Sequence, residues 1–175
     1  MIFYVFFFRP PLFSLSIQTL SIHHTSPGFF PASPRAGLPD PSIPRFDPFS
    51  LSIPLLEGAS NKTYASIWPV VEELKDIMQP DYVIVQCGTD ALAGDPCATF
   101  NWSLGGGEGS LGWCMSRILD KWQGKKLLLG GGGYNSPNAA RAWAYVTSIA
   151  VRVLALIHCR CFMSCVAGTT ARPGY

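Results

Sequence analysis

Two short apolar runs, each followed directly by glycine, constrain the fold of this chain more than any other feature. Tyr82 to Cys87 reads Tyr-Val-Ile-Val-Gln-Cys, and Lys126 to Leu129 reads Lys-Leu-Leu-Leu. Runs of this kind are typical of strands buried on both faces of a sheet. We therefore predict two buried strands, the first leading into the loop Gly88 to Pro96 and the second into Gly130 to Asn135.

Amphipathic helices are predicted around these strands, because apolar residues repeat at helical spacing in three segments. They run from Thr63 until Pro80 ends the helix, from Leu111 to Trp122, and from Asn138 to about Val153. The predicted inward residues are Tyr64, Ile67, Val70, Val71, Leu74, Ile77 and Met78 in the first helix, Leu111, Met115, Ile118, Leu119 and Trp122 in the second, and Ala140, Trp143, Val146, Thr147 and Ala150 in the third. Helices that alternate with strands indicate an α/β fold with a parallel sheet.

The amino-terminal third has a different character, because ten of the 15 prolines lie between Pro10 and Pro54. Proline excludes helix and central strand, so Ala32 to Pro48 is predicted to be a long irregular connection. Short strands are predicted at Thr19 to Ile22 and at Ser50 to Pro54. Residues 1–18 are apolar without a clear period, and no element is assigned to them.

Composition excludes some function classes. Charged residues make up 14% of the chain and the net charge is +2 without a basic run, which disfavours direct nucleic-acid binding. The apolar start, Met1 to Phe8, is much shorter than the roughly 20 residues that span a bilayer, so no membrane partner is predicted. The six cysteines follow no convincing secretory signal, which favours a reducing compartment over disulfides.

Two loops carry candidate chemistry, and because both leave the carboxyl ends of parallel strands we expect them to face one cleft. Asp90 follows the first strand, where a carboxylate suits a hard or borderline cation; alternatively it caps the loop, an interpretation that fits Asp95 better. Gly130 to Gly133 precede Tyr134, whose hydroxyl could stabilise an oxyanion. The alternatives for the glycines are a nucleotide loop, although the G-x-G-x-x-G spacing is absent, or a flexible turn.

Three further groups are ambiguous. Phe29 and Phe30 suit either the wall of an apolar tunnel or an ordinary core. His23 and His24 suit either a paired base or a structural role. A third group has the atoms that zinc prefers but no familiar ligand spacing, so a chance cluster is favoured: His158, Cys159, Cys161 and Cys165.

Three motifs follow one another along the chain. They are Ser26-Pro-Gly-Phe-Phe-Pro31, then Gln79-Pro-Asp-Tyr-Val-Ile-Val-Gln-Cys-Gly-Thr-Asp-Ala-Leu-Ala-Gly-Asp-Pro96, then Leu127-Leu-Leu-Gly-Gly-Gly-Gly-Tyr-Asn135 with Asn-Ala-Ala-Arg-Ala-Trp-Ala-Tyr145. Together they resemble the carboxyl-terminal half of class I zinc-dependent histone deacetylases, and Ser-Pro-Gly-Phe-Phe resembles the histone deacetylase 8 branch. The resemblance covers residues 19–153, diverges over 32–48, and leaves 1–18 and 154–175 unmatched.

The resemblance implies a partial three-layer α/β fold with a parallel sheet, of the arginase/deacetylase type, without its amino-terminal half. It implies zinc-dependent hydrolysis of acetyl-lysine on histones or other proteins, in the nucleus or cytoplasm, with repression of transcription and a corepressor or the missing half as partner. The implied roles are zinc ligand for Asp90, catalytic oxyanion donor for Tyr134, substrate contacts for Phe29, Phe30 and Gly132, support for Gln86, and a potassium-type monovalent cation site for Ser21 and Ile22. Phe49 stands where a second cation site would have a tyrosine.

The family's Asp-x-His ligands and catalytic histidine pair are expected before Thr19, and Met1 to Gln18 contains neither. His23-His24 resembles a different tract of the family. Catalytic zinc takes about three protein ligands. We therefore expect either a deacetylase whose catalytic set is incomplete in the isolated chain, or a non-catalytic fragment that acts only through a partner or is unstable. A nucleotide-binding module is the third interpretation.

Overall fold

A computed structural model describes residues 2–9, 16–26, 36–44, 46–97, 99–105 and 107–167, with side chains for all of these except 2–4, 8, 9, 16 and 152–167. Five strands and three helices lie in these ranges. In chain order they are β1 (Ile2–Arg9), β2 (Ser16–His24), β3 (Ser50–Leu55), α1 (Asn61–Met78), β4 (Tyr82–Cys87), α2 (Leu111–Lys121), β5 (Lys125–Leu129) and α3 (Ser136–Ala167).

The strands form one mixed sheet in the order β3-β2-β1-β4-β5. β2 and β3 are parallel, as are β4 and β5, whereas β1 is antiparallel to both of its neighbours. The α/β class is therefore confirmed, together with the predicted strands at β2 to β5. Between β2 and β3, the described residues 36–44 and 46–49 contain no strand or α-helix, as the prolines predict.

The central strand β1 is the largest difference from the sequence analysis, which assigns no element to residues 1–18. Its run Ile-Phe-Tyr-Val-Phe-Phe-Phe is apolar at every position. A strand between two others can be apolar on both faces, so it carries no period that distinguishes it from other apolar segments. Its pairing with β2 and β4 makes it the middle of the sheet.

One face of the sheet packs against α1 and α2. The register places Val5 beside Leu20 on one side and Val85 on the other, and all three side chains are fully buried. Their helical partners are Tyr64, Trp68 and Val71 from α1 and Leu111, Met115 and Ile118 from α2. Burial of each large apolar side chain contributes about 1.5–3 kcal/mol.

The predicted inward face of α1 needs correction. Val70 is 49% exposed and Ile77 is 68% exposed, whereas Trp68, which was not predicted to point inward, is 2% exposed. The inward direction is decided by Trp68, whose indole packs beside Trp122 at the end of α2 with a ring separation of 6.2 Å. Rotation of the helix toward this aromatic pair turns Val70 and Ile77 toward solvent.

The opposite face of the sheet is only partly covered. Along β4 the side chains alternate, with Val83 and Val85 buried but Tyr82 46% exposed, and along β5 Leu127 is 52% exposed. The prediction that both strands are buried on both faces is therefore wrong. β5 is the last strand of the sheet, and its residues Leu127 and Leu129 point away from the α1 and α2 layer.

α3 packs against α2 through a stripe one position away from the predicted one. Ala139, Ala142, Val146 and Ile149 are buried, which confirms Val146, whereas Ala140 and Thr147 are exposed and were wrongly predicted to point inward. The helix continues beyond the predicted end at Val153 to Ala167. Among the described residues, no helix combines the length and apolar character needed to cross a membrane. The side chains of the predicted cluster His158, Cys159, Cys161 and Cys165 lie outside the described part.

Candidate active site

The loops that follow β4 and β5 lie side by side at the carboxyl edge of the sheet. Because the two strands are parallel neighbours, both chains leave the sheet at the same edge. The backbone N–H of Thr89 donates a hydrogen bond of 2.7 Å to the carbonyl of Gly132, and the Thr89 hydroxyl donates to the same oxygen at 3.2 Å. The sequence prediction that these two loops face one another is thus realised in the structure.

The glycine run is explained by this close packing. A Cβ atom on Gly131 would lie 2.8 Å from the Cα of Gly88, and one on Gly132 would lie 2.3 Å from Oδ2 of Asp90. Gly133 has a φ of 151°, which other residues rarely adopt. The glycines therefore allow the second loop to contact the first loop, which accounts for them without a bound nucleotide phosphate.

Asp90 is buried in the seam between the two loops, with 6% of its surface exposed. Its carboxylate lies against Gly132, so the two residues predicted from the motifs are in direct proximity. Burial raises the pKa of Asp90 above its ordinary value, because a low-dielectric environment disfavours the charged form. A nearby cation would offset that cost, which is the chemical reason a buried carboxylate suits a metal ligand.

Tyr134 follows the glycine run and is 63% exposed. Its position is fixed through its backbone, because its N–H donates a hydrogen bond of 2.7 Å to Oδ2 of Asp95. The N–H of Asn135 donates to the same oxygen at 3.1 Å, and the N–H of Cys97 donates to the other carboxylate oxygen at 2.9 Å. Asp95 therefore joins the loop after β4 to the loop after β5, in keeping with the loop-capping interpretation.

The electrostatics of Asp95 are opposite to those of Asp90. Burial alone would raise the pKa of Asp95, but the hydrogen bonds from Cys97, Tyr134 and Asn135 outweigh burial, and the pKa is lowered. Hydrogen bonds that a carboxylate accepts stabilise its charged form. Asp95 is thus an ionised structural residue at neutral pH. The sequence predicts only that Asp95 caps its own loop. The hydrogen bond to Tyr134 joins residues 39 positions apart, and no sequence pattern indicates a contact over that distance.

Two neighbours support the seam. Gln86 near the end of β4 borders the glycine loop, because a Cβ atom added to Gly131 would lie 3.4 Å from the Cγ of Gln86. The indole N–H of Trp143 donates a hydrogen bond of 3.2 Å to the carbonyl of Cys87, and its ring borders Gly130. Trp143 was predicted to be an inward core residue of α3, yet it is 39% exposed and links α3 to the end of β4.

The predicted monovalent-cation residues lie on β2. Ser21 and Ile22 are neighbours in the strand, so their side chains point to opposite faces. The Ser21 hydroxyl lies 2.8 Å from Nδ1 of His23, whose Nε2 lies 3.0 Å from the carbonyl of Ala36. His23 is buried and its ring is oriented by these two contacts, which supports the structural alternative for this histidine. The cation role of Ser21 and Ile22 stays a prediction.

The remaining predicted site residues are Phe29 and Phe30, which lie outside the described residues. Within the described part of the chain, no group of three or more His, Cys, Asp or Glu side chains is arranged to hold a metal ion. Asp90 therefore belongs to no three-residue ligand group there. A single carboxylate does not fit catalytic zinc, which takes about three protein ligands.

Comparison with known proteins adds a second line of evidence. Residues 12–150 match the sequence profile of the histone deacetylase domain. The chain belongs to the histone deacetylase family. It is 36% identical to histone deacetylase 8 of Xenopus tropicalis over 140 residues, which cover 79% of this chain and 36% of that protein. It is 35% identical to histone deacetylase 8 of Danio rerio over 136 residues, covering 77% and 34% of the two chains.

A plant relative extends the comparison. Histone deacetylase 6 of Arabidopsis thaliana is 33% identical over 138 residues, which cover 78% of this chain and 28% of the plant protein. The chain therefore spans about a third of the length of the relatives it matches. The motif resemblance, including its histone deacetylase 8-like character, is confirmed by these matches.

Proposed function

We propose that the seam between the two loops is part of the active site of a zinc-dependent lysine deacetylase. The observation that carries the proposal is the packing of Asp90 against Gly132, two residues before Tyr134, at the carboxyl edge of adjacent parallel strands. The family to which the chain belongs supports the same chemistry. The substrate class would be acetylated lysine in histones or other proteins, in the nucleus or the cytoplasm.

In this proposal each residue has one role. Asp90 would supply one carboxylate ligand of a zinc ion, whose other ligands would have to come from outside the described residues, and the bound ion would polarise the acetyl carbonyl. The hydroxyl of Tyr134 would donate a hydrogen bond to the carbonyl oxygen as negative charge develops on it, a contribution typically worth about 10²–10³ in rate. Asp95 holds the backbone of Tyr134, and Gln86 supports the glycine loop. Ser21 and Ile22 would hold a potassium ion, and Phe29, Phe30 and Gly132 would contact the lysine stem.

A second candidate function is a non-catalytic module that acts through a protein partner, such as a corepressor or a further part of a deacetylase domain. Two observations favour it. The described residues contain no group of three candidate zinc ligands, and the sheet face that carries Tyr82, Leu127 and Leu129 is partly exposed. Exposed apolar faces of this kind commonly mark protein interaction sites.

An acetate-release assay separates the two candidates. The purified chain is incubated with an acetyl-lysine peptide, with and without added zinc, alongside the variants Tyr134→Phe and Tyr82→Phe. Tyr82→Phe is the matched control, because Tyr82 is a half-exposed tyrosine on β4 away from the loop seam. Deacetylase function predicts zinc-dependent acetate release that falls by about 10²–10³ in Tyr134→Phe and is unchanged in Tyr82→Phe.

The opposite outcome is equally informative. If the folded wild-type chain releases no acetate with zinc present, catalysis by this chain is contradicted and the non-catalytic candidate is supported. Sequencing the encoding transcript upstream of Met1 tests the same question independently. An upstream segment with Asp-x-His and a paired histidine would provide the ligands and the general base that the proposal requires.

A further inference from the structure

A groove lies between α1 and α2, on residues that the proposed active site does not use. Its volume is about 630 Å³. Its floor is aromatic: Trp68 from α1 is 2% exposed, and Trp113 from α2 meets it edge to face with a ring separation of 5.6 Å. A cavity of this size accommodates a long side chain or a short peptide segment.

The groove concentrates negative charge. Four of the chain's eleven acidic residues line it, against one basic residue, Arg117, although the chain as a whole carries a net charge of +2. The four are Glu72, Glu73, Asp76 and Glu108. This local excess over a mildly basic background makes the groove complementary to a cation.

The four carboxylates are not equivalent. Glu72 is engaged within the protein, because it accepts hydrogen bonds of 2.9 Å from the indole N–H groups of Trp68 and Trp122. Asp76 lies 2.5 Å from Nζ of Lys75. Glu73 and Glu108 are exposed and form no ion pair with any described residue. These two are therefore the carboxylates that face an incoming cation.

One cation of the protein already uses this chemistry. The guanidinium of Arg117 lies 5.3 Å from the centre of the Trp113 ring, and its Nε donates a hydrogen bond of 3.2 Å to Glu72. An aromatic face combined with a carboxylate is a favourable environment for a guanidinium or ammonium group. Glu73 and Glu108 line the same groove and have no ion-pair partner among the described residues.

We propose that this groove binds a lysine- or arginine-containing peptide segment of a partner protein. The cationic head contacts Glu73 and Glu108, and the methylene stem lies on the accessible apolar surface of Trp113 and Ile77, which both line the groove. A peptide fits better than a metal ion, because tryptophan contributes no metal ligand and the floor is mainly apolar. The inference does not depend on the proposed deacetylase activity, with which the groove shares no residue.

The test is a fluorescence anisotropy titration of the full chain with a labelled peptide that carries four lysines in a glycine and serine background. The groove variant is Glu73→Gln combined with Glu108→Gln. The matched control is Glu57→Gln combined with Asp81→Asn, which removes the same two charges from exposed positions outside the groove. All four positions are exposed, so the fold of each variant is expected to persist and is checked by circular dichroism.

The proposal predicts that the groove variant binds the peptide about threefold to tenfold more weakly, whereas the control changes affinity less than twofold. Raising the salt concentration from about 50 to 200 mM should also weaken binding, because exposed charges are screened. An equal loss in both variants would show non-specific attraction and would overturn the proposal. Equal binding of a peptide with glutamine in place of lysine, or no binding by the wild-type chain, would overturn it as well.

Discussion

Alanine substitutions along the glycine run should have sharply different effects at adjacent positions. A Cβ atom at Gly131 would lie 2.8 Å from the Cα and 2.9 Å from the N of Gly88. These are backbone atoms, so no side-chain rotation relieves the overlap, and the two loops must separate. Overpacking of this kind typically costs about 1–3 kcal/mol.

Gly130 is the matched control one residue earlier. A Cβ atom there would lie 3.5 Å from the nearest atom, on the Trp143 ring, which is an ordinary van der Waals contact. Its backbone does not require glycine. Gly→Ala at such a site raises the free energy of unfolding by about 0.4–1 kcal/mol, because alanine lowers the conformational entropy of the unfolded chain. The same gain applies to Gly131→Ala and cancels in the comparison, so Gly131→Ala should be about 1–3 kcal/mol less stable than Gly130→Ala.

Urea unfolding followed by tryptophan fluorescence measures this difference. With a urea dependence of about 2 kcal/mol per M, a difference of about 2 kcal/mol moves the midpoint by about 1 M. Gly132→Ala should be less destabilising than Gly131→Ala, because the overlapping group is the Asp90 carboxylate rather than backbone. That side chain can rotate away, although it then leaves its position between the two loops. Equal midpoints for Gly130→Ala and Gly131→Ala would refute the close packing of the two loops.

Three other substitutions test separate parts of the fold. Asp95→Asn should lower the free energy of unfolding by about 1–2 kcal/mol at pH 7, since it removes a charged acceptor of the Tyr134 N–H. Because the folded pKa of Asp95 is lowered, its stabilisation is fully present above the ordinary carboxyl pKa of about 3.9 and is lost as pH falls through the folded value, so the difference in urea midpoint between wild type and variant should shrink as the pH is lowered below about 3.9. Glu72→Gln should lower the free energy of unfolding by about 1–2 kcal/mol, because the indole N–H of Trp122 loses a charged acceptor. The loss is measured as a lower thermal midpoint, and an unchanged midpoint would count against this hydrogen bond. Pro69→Ala should raise the free energy of unfolding by about 1–2 kcal/mol, because proline inside α1 removes a helical hydrogen bond, and a decrease would contradict the assignment of Pro69 to the helix interior.

Local patterns were sufficient for the elements around the candidate site. The apolar run at β4, the amphipathic repeat of α2 and the glycines after β5 each depend on residues close together in sequence, and each was predicted at nearly its observed boundaries. The expectation that the two loops meet required one further step, that parallel strands end at the same edge. Asp90 and Gly132 could therefore be brought together from sequence patterns alone.

Helix faces were predicted less well, because the direction of a helix depends on what lies opposite it. In α1 the apolar stripe included Val70 and Ile77, and the large indole of Trp68 determines the observed orientation instead. In α3 the small residues Ala139 and Ala142 are buried, although Ala140 fits a helical repeat equally well and is exposed. A period of 3.6 residues allows several neighbouring stripes, and only the packing partner selects one.

The sequence by itself determined the order of most elements, the loops that share an edge and the family to which the chain belongs. The tertiary structure decided the central place of β1, the partial exposure of β5, the link from Asp95 to Tyr134, and the groove in which acidic residues of α1 meet Glu108 of the turn before α2. The physical reason is the distance along the chain. β1 pairs with residues about 80 positions away and Asp95 bonds residues 39 and 40 positions away, so no local pattern of apolar or charged residues records these contacts.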